Sequence, residues 1–110
     1  MTLTLNQYAV EAMRTAVFPI DRGLDYLVNG LTSEAGELAG HYAKAIRDDK
    51  GYITPERRKL MLAEAGDALW MLAGIAREFD TTLEAIAQYN LNKLHDRAQR
   101  NKIGGSGDVR

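Results

Sequence analysis

The sequence predicts an all-α protein, with four principal helices in an antiparallel bundle that is completed by oligomerisation. Three observations carry that expectation. Apolar residues recur at helical spacing in separate stretches, for example Leu27, Leu31 and Leu38, then Leu60, Leu69 and Leu72. Helix-start chemistry precedes such stretches, most plainly at Thr54-Pro55, a capping residue followed by proline at the first helical position. Finally, no segment alternates apolar and polar residues as a half-buried strand requires.

In chain order, a first helix is expected over residues 4–18, with Thr2 or Thr4 as its cap. Ala9, Ala12, Met13, Ala16 and Val17 form its apolar stripe, and Pro19 is its stop. A connector over residues 19–23 leads into a second helix over 24–49. Residues 48–53 are polar and include Gly51, which marks the helix connection. The third helix is expected over 55–79 and contains the unbroken core run Ala68 to Ala73. The fourth opens at Thr81, which has capping-box spacing to Glu84, and continues to about residue 100. Asn90, Lys93 and Arg97 share one of its faces. Residues 103–110, with Gly104, Gly105 and Gly107, read as a flexible glycine-rich tail.

With 110 residues, 45% hydrophobic content and a net charge of -1, the chain is a single domain, residues 1–110, too short for two cores. That charge balance gives no reason to expect stable nucleic-acid binding. Cysteine is absent, which excludes a disulfide framework and a thiolate metal site. The longest nearly uncharged apolar run, residues 68–76, is too short to span a bilayer, and no signal peptide is evident, so the expected setting is cytoplasmic with no membrane association. Apolar residues spread over several helix faces make a homo-oligomer, dimer or tetramer, the expected assembly.

The chemistry is concentrated in Glu34-Ala-Gly-Glu37 and its echo Glu64-Ala-Gly-Asp67. Each motif places two carboxylates one helical turn apart, on one face. A mid-helix glycine costs about 1 kcal/mol relative to alanine, so Gly36 and Gly66 are expected to mark a close approach of the two helices. Such an approach gathers four acids. At about 5 Å and an effective dielectric of about 20, each like-charged pair repels by roughly 3 kcal/mol, which calls for a cation. Carboxylates without cysteine, and with no imidazole in ligand spacing, form a hard oxygen site suited to Mg²⁺ or Mn²⁺ rather than zinc. A di-iron bundle would use Glu-x-x-His pairs, and neither His41 nor His95 stands three residues after a Glu.

Mg²⁺ held by carboxylates commonly shares a phosphate-bearing substrate. Lys44 follows Glu34, Glu37 and His41 on one face of the second helix, while Lys93 and Arg97 lie on the fourth, and all three could neutralise phosphate oxygens. Tyr8, Phe18, Tyr26 and Trp70 are candidates to stack on a base. Lys102 and Arg110 bracket the Gly-rich tail, which is expected to close over the phosphates, in a neighbouring copy if not its own.

Two acidic pairs in register on long helices resemble the MazG-like nucleotide pyrophosphohydrolases of the all-α NTP pyrophosphatase superfamily. The resemblance covers nearly the whole chain. It includes Gly30-Leu-Thr-Ser-Glu-Ala-Gly-Glu37, Arg47-Asp48-Asp49, Asn90-x-x-Lys93-Leu94 and Gly104-Gly-Ser-Gly-Asp108. It implies Mg²⁺-dependent hydrolysis of a nucleoside triphosphate, deoxynucleotides foremost, to the monophosphate and pyrophosphate. By that likeness Glu34, Glu37, Glu64 and Asp67 hold the metal, and Asn90 with Lys93 holds the substrate. Some relatives carry a further acid just before the first pair, where this chain has Ser33, so the choice of general base stays open. Two alternatives remain at this level: hydrolysis of an alarmone or of noncanonical nucleotides, and a non-catalytic helical module whose acids bind metal to stabilise an oligomer.

Overall fold

The computed structural model describes residues 2–100. Four α-helices make up nearly all of it: α1 (Leu5–Met13), α2 (Gly23–Asp49), α3 (Pro55–Glu78) and α4 (Leu83–Gln99), with a short 3₁₀ turn at Ile20–Arg22 ahead of α2. There is no strand among the described residues. The tail expected at 103–110, and Arg110 with it, lies outside the described residues.

The long helices start and stop where local chemistry directs. Thr54 caps α3 by accepting from the Arg57 N–H at 3.1 Å, with Pro55 inside the first turn. α2 ends as Lys50 enters the left-handed region at φ 57° and Gly51 follows at φ 84°, its N–H returning to the Ala45 carbonyl at 3.0 Å.

α1 is shorter than the expected 4–18, and the cause is non-local. Thr4 caps it in a reciprocal capping box with Gln7. At its other end the Ala12 carbonyl, which a continuing helix would offer to the Ala16 N–H, instead accepts from the Thr15 hydroxyl at 2.7 Å and the Trp70 indole N–H at 3.1 Å. Ala16 turns to the Met13 carbonyl, and the helix stops six residues before Pro19.

α4 also differs in its cap. Thr82, not Thr81, accepts from the Ala85 N–H at 3.1 Å, because the Thr81 N–H is used to close α3 on the Ala76 carbonyl. Glu84, expected to complete a capping box, instead accepts from the Asn6 N–H at 2.9 Å while Asn6 Oδ1 accepts from the Glu84 N–H at 3.2 Å. That exchange ties the start of α1 to the start of α4.

α2 and α3 form an antiparallel hairpin. As residue number rises along α2 it falls along α3: Leu27 meets Gly74, Gly30 meets Met71, Glu34 and Glu37 meet Glu64, and Asp49 meets Arg57. On the far side of α3, Met13, Ala73, Ala76 and Leu83 form a small core with the apolar faces of α1 and α4. Leu27 is the one large side chain among the described residues that is fully buried. Positions turned the same way from the hairpin seam lie on one flank, because the two helices run oppositely. One flank is apolar and half open, with Leu24, Val28, Tyr42 and Ile46 on α2 and Leu72 and Phe79 on α3 all exposed. The acids lie in the seam itself, Glu34 and Glu64 half-buried, with Glu37 and Asp67 exposed at its edge.

Candidate metal and nucleotide site

Glu34 and Glu37 lie one turn apart on α2, and Glu64 comes from the facing turn of α3. One carboxylate oxygen from each falls within 4.8 Å of the others. Asp67 lies one turn beyond Glu64, outside this tight set and exposed, yet near enough that its charge raises the pKa of both Glu34 and Glu37. The four expected ligands therefore divide into three that converge and one at the rim.

The cluster stores charge repulsion. The Glu34 carboxyl is pushed up to about 7, first by hydrogen bonding of its proton toward Glu64, then by burial and by the Glu37 and Asp67 charges. Glu37 is raised as well, chiefly by Glu64, whereas Glu64 is held below its ordinary value because it accepts from both partners. Glu34 Oε2 and Glu64 Oε2 remain buried without a hydrogen-bond partner. Buried carboxylate oxygens in that condition are costly, and a hard divalent cation is the chemistry that would satisfy them. The donor set thus fits Mg²⁺ or Mn²⁺.

Two sequence expectations need correction. Gly36 and Gly66 do not mark the helix contact: a Cβ at either would meet nothing within 4 Å. The close approach occurs at Gly74, where a Cβ would collide with the buried Leu27 side chain, and at Gly30, where it would lie 2.6 Å from the Met71 sulfur. The second correction concerns the oxygen-only surroundings. His41 Nε2 lies 3.4 Å from Glu64 Oε1, so an imidazole borders the cluster. The spacing Glu34, Glu37, His41 had already placed it on that face, and searching only for Glu-x-x-His missed it. Arg57 seals this end of the seam, donating to the His41 carbonyl at 3.3 Å and approaching Asp49 Oδ2 at 3.7 Å.

Beside the acids, Glu34 and Asp67 share a pocket of about 570 Å³ with Thr15, Val17, Phe18, Pro19, Tyr26, Trp70 and Met71. Phe18 stacks on Tyr26 at 5.1 Å and meets Trp70 edge-on at 6.3 Å. Tyr26 and Trp70, two of the expected substrate-binding residues, thus line the same cavity as two of the carboxylates. Tyr8 stands nearby, its phenol raised by burial and by Asp67. The expected cations are placed differently. Lys44 is exposed on α2. Asn90, Lys93 and Arg97 ride on α4, which packs on α1 and α3 and not on α2 among the described residues. There Asn90 is exposed, the Lys93 ammonium sits 5.4 Å from the Tyr89 ring centroid, and Arg97 is buried. Among the described residues no helix is long and apolar enough to cross a membrane.

Fold and site together define a class: an all-helical protein that gathers carboxylates from two antiparallel helices beside an aromatic pocket. The chain is similar to the Gene 37 protein of Mycobacterium phage L5, with 42% identity over 109 residues that cover 94% of this chain and 96% of the relative. It belongs to the family of that phage protein. No family model matches the chain, and no solved structure matches it.

Proposed function

We propose that the protein is a Mg²⁺-dependent nucleotide pyrophosphohydrolase of the MazG-like kind, converting a (deoxy)nucleoside triphosphate and water to the monophosphate and pyrophosphate. One observation carries the reading: carboxylates from two helices converge with two buried, unpartnered oxygens, and the cluster opens directly onto an aromatic pocket large enough for a nucleoside. A simple structural role for these acids would leave their mutual repulsion uncompensated.

Glu34, Glu37 and Glu64 are the residues that would hold the metal, with Asp67 joining them from the rim. When bound, Mg²⁺ polarises phosphoryl oxygens and lowers the pKa of a coordinated water. One of these carboxylates would take the proton of that water, and Asp67, exposed and lining the same cavity as Glu34, is the one we propose. Trp70 and Tyr26 enclose the nucleoside end. Lys44 stands further along the α2 face, while Asn90 and Lys93 would serve phosphate oxygens from α4; Arg97, buried in its own chain, would not. Because α4 does not pack on α2, a homo-oligomer is the natural way to bring those donors to the carboxylates. The open apolar flank of the hairpin, turned away from the acids, is a separate surface that a partner copy would cover. The setting this implies is cytoplasmic.

The test is pyrophosphate release from a panel of ribo- and deoxynucleoside triphosphates, noncanonical nucleotides and guanosine tetraphosphate in excess Mg²⁺. Stoichiometric monophosphate and pyrophosphate from a triphosphate supports the reading. Release from guanosine tetraphosphate alone favours alarmone hydrolysis, and no release from any compound leaves the non-catalytic metal-binding module.

A further inference from the structure

Two side chains of α3, Arg57 and Glu64, reach the same residue of α2. They stand about two turns apart on one face of α3, while Glu34, Glu37 and His41 follow one another along the facing side of α2. Arg57 donates to the His41 carbonyl at 3.3 Å and its Nη2 approaches Asp49 Oδ2 at 3.7 Å, which ties the α2 backbone at that turn to α3. The His41 ring crosses the seam the other way. Its Nε2 lies 3.4 Å from Glu64 Oε1, with 17% of the histidine side chain and 15% of the glutamate side chain exposed, so water competes little for the contact. Glu64 is the carboxyl held below its ordinary value, by Glu37 first, then Glu34, with His41 contributing in the same direction. Its oxygens are therefore acceptors, and Nε2 is the atom that carries the proton. The two oxygens of Glu64 differ in their surroundings: Oε1 faces the imidazole N–H, whereas Oε2 is buried with no hydrogen-bond partner. The atoms that converge within 4.8 Å come from Glu34, Glu37 and Glu64, and the imidazole stands outside that set.

We propose that His41 is a positioning residue for the cation: its Nε2–H holds Glu64 Oε1 and so presents Oε2 to the metal, making Glu64 a one-oxygen ligand. The proposal rests on the metal reading above and adds to it a residue outside both acidic motifs. A glutamate side chain loses rotamer freedom when it binds an ion, and a partner that restrains it beforehand removes part of that loss. Hydrogen-bond partners of metal-ligating carboxylates act in this way, and losing one costs about 10–100-fold in metal affinity. At 3.4 Å the contact is long for a hydrogen bond, which sets the expected effect near the lower end of that range. Two other roles make different demands. A histidine that only filled the seam would be replaceable by leucine without effect on the cation, and one that bound the cation itself would bring nitrogen to it.

The experiment measures Mg²⁺ and Mn²⁺ affinity by calorimetry on the full chain, without nucleotide, in the wild type, His41→Leu and His41→Gln, with circular dichroism to confirm that each is folded. His41→Leu should weaken both ions by about tenfold, and His41→Gln, whose amide N–H can serve the same oxygen, should stay within about threefold of the wild type. Wild-type protein grown with ¹⁵N-histidine and loaded with Mn²⁺ supplies a second readout that needs no apolar variant. Electron–nuclear double resonance should show one weak, through-space coupling to a histidine nitrogen, lost in His41→Gln, and no nitrogen bonded to the ion. Unchanged affinity in a folded His41→Leu, or failure of His41→Gln to restore it, overturns the proposal. A directly bonded nitrogen overturns it in favour of ligation, and the absence of any coupling removes His41 from the surroundings of the cation. None of these readouts depends on turnover. Affinity lost in His41→Leu and kept in His41→Gln, with no pyrophosphate release from any nucleotide, would sink the enzyme and keep the positioning residue. Pyrophosphate release together with unchanged affinity in His41→Leu would do the reverse.

Discussion

The α2–α3 seam has two halves built on opposite principles. Toward the start of α2, Leu27 lies fully buried against Gly74, and Gly30 admits the Met71 side chain, so backbones and apolar groups close tightly. One to three turns further on, the same seam presents Glu34, Glu37, Glu64 and His41, with buried oxygens unpaired and the Glu34 pKa driven up to about 7. Equal helix geometry with unequal chemistry teaches that the hairpin is held together at one end in order to tolerate repulsion at the other. Apolar packing and acidic repulsion are separated along a single interface.

The largest effect expected from that contrast is at Leu27. Leu27→Ala should lower the unfolding free energy by about 2–5 kcal/mol through lost burial and a residual cavity, as read by chemical denaturation. A change under about 1 kcal/mol would mean that the apolar half is not the anchor.

In the acidic half, Glu37→Gln and Glu64→Gln should reduce pyrophosphate release by at least about 100-fold, near 2.7 kcal/mol of transition-state stabilisation, while the metal-free melting temperature holds or rises in Glu37→Gln, whose carboxyl its neighbours raise. Relief of like-charge repulsion is the reason for the rise. Strong destabilisation of both variants without metal would make the carboxylates structural and erase the distinction between the halves.

Glycine substitutions sharpen the comparison at smaller magnitude. Gly36→Ala and Gly66→Ala face open space and should stabilise the metal-free chain by up to about 1 kcal/mol from helix propensity, whereas Gly74→Ala should destabilise it by collision with Leu27. Matching signs at the three positions, in thermal melts, would contradict the assignment of the contact to Gly74.

Those glycines also show how far the sequence could be read. Both long helices and the Thr54-Pro55 start were legible because capping and helical spacing are local. The pairing of Glu34 and Glu37 with Glu64 followed from the repeated motif. Yet Gly36 stands two residues beyond Glu34, about 200° around the helix, so it could not share the seam with that carboxylate. Gly30, one turn before Glu34, was the contact, and helical phase alone would have favoured it. The early end of α1 was not legible, because it depends on an indole 58 residues away reaching the Ala12 carbonyl. Nor was the exchange between Asn6 and Glu84, which replaced the expected capping box of α4. The separation of the α4 cations from α2 is likewise a property of packing, invisible to residue spacing.

The most direct check on a carboxylate centre built for a cation is the pH dependence of melting with and without Mg²⁺. Glu34 holds its proton more tightly folded, at about 7, than unfolded, at about 4.5, so its stabilisation is complete below about 4.5 and is lost as pH rises through about 7. Glu37 is shifted in the same direction. Glu64, shifted the other way, loses its contribution only as pH falls below its unfolded value and does not offset the trend in this window. The metal-free melting temperature should therefore fall between pH 5 and pH 8, and saturating Mg²⁺ should abolish the fall by binding the deprotonated cluster. Melting curves that show the same pH dependence with and without Mg²⁺ would contradict the account.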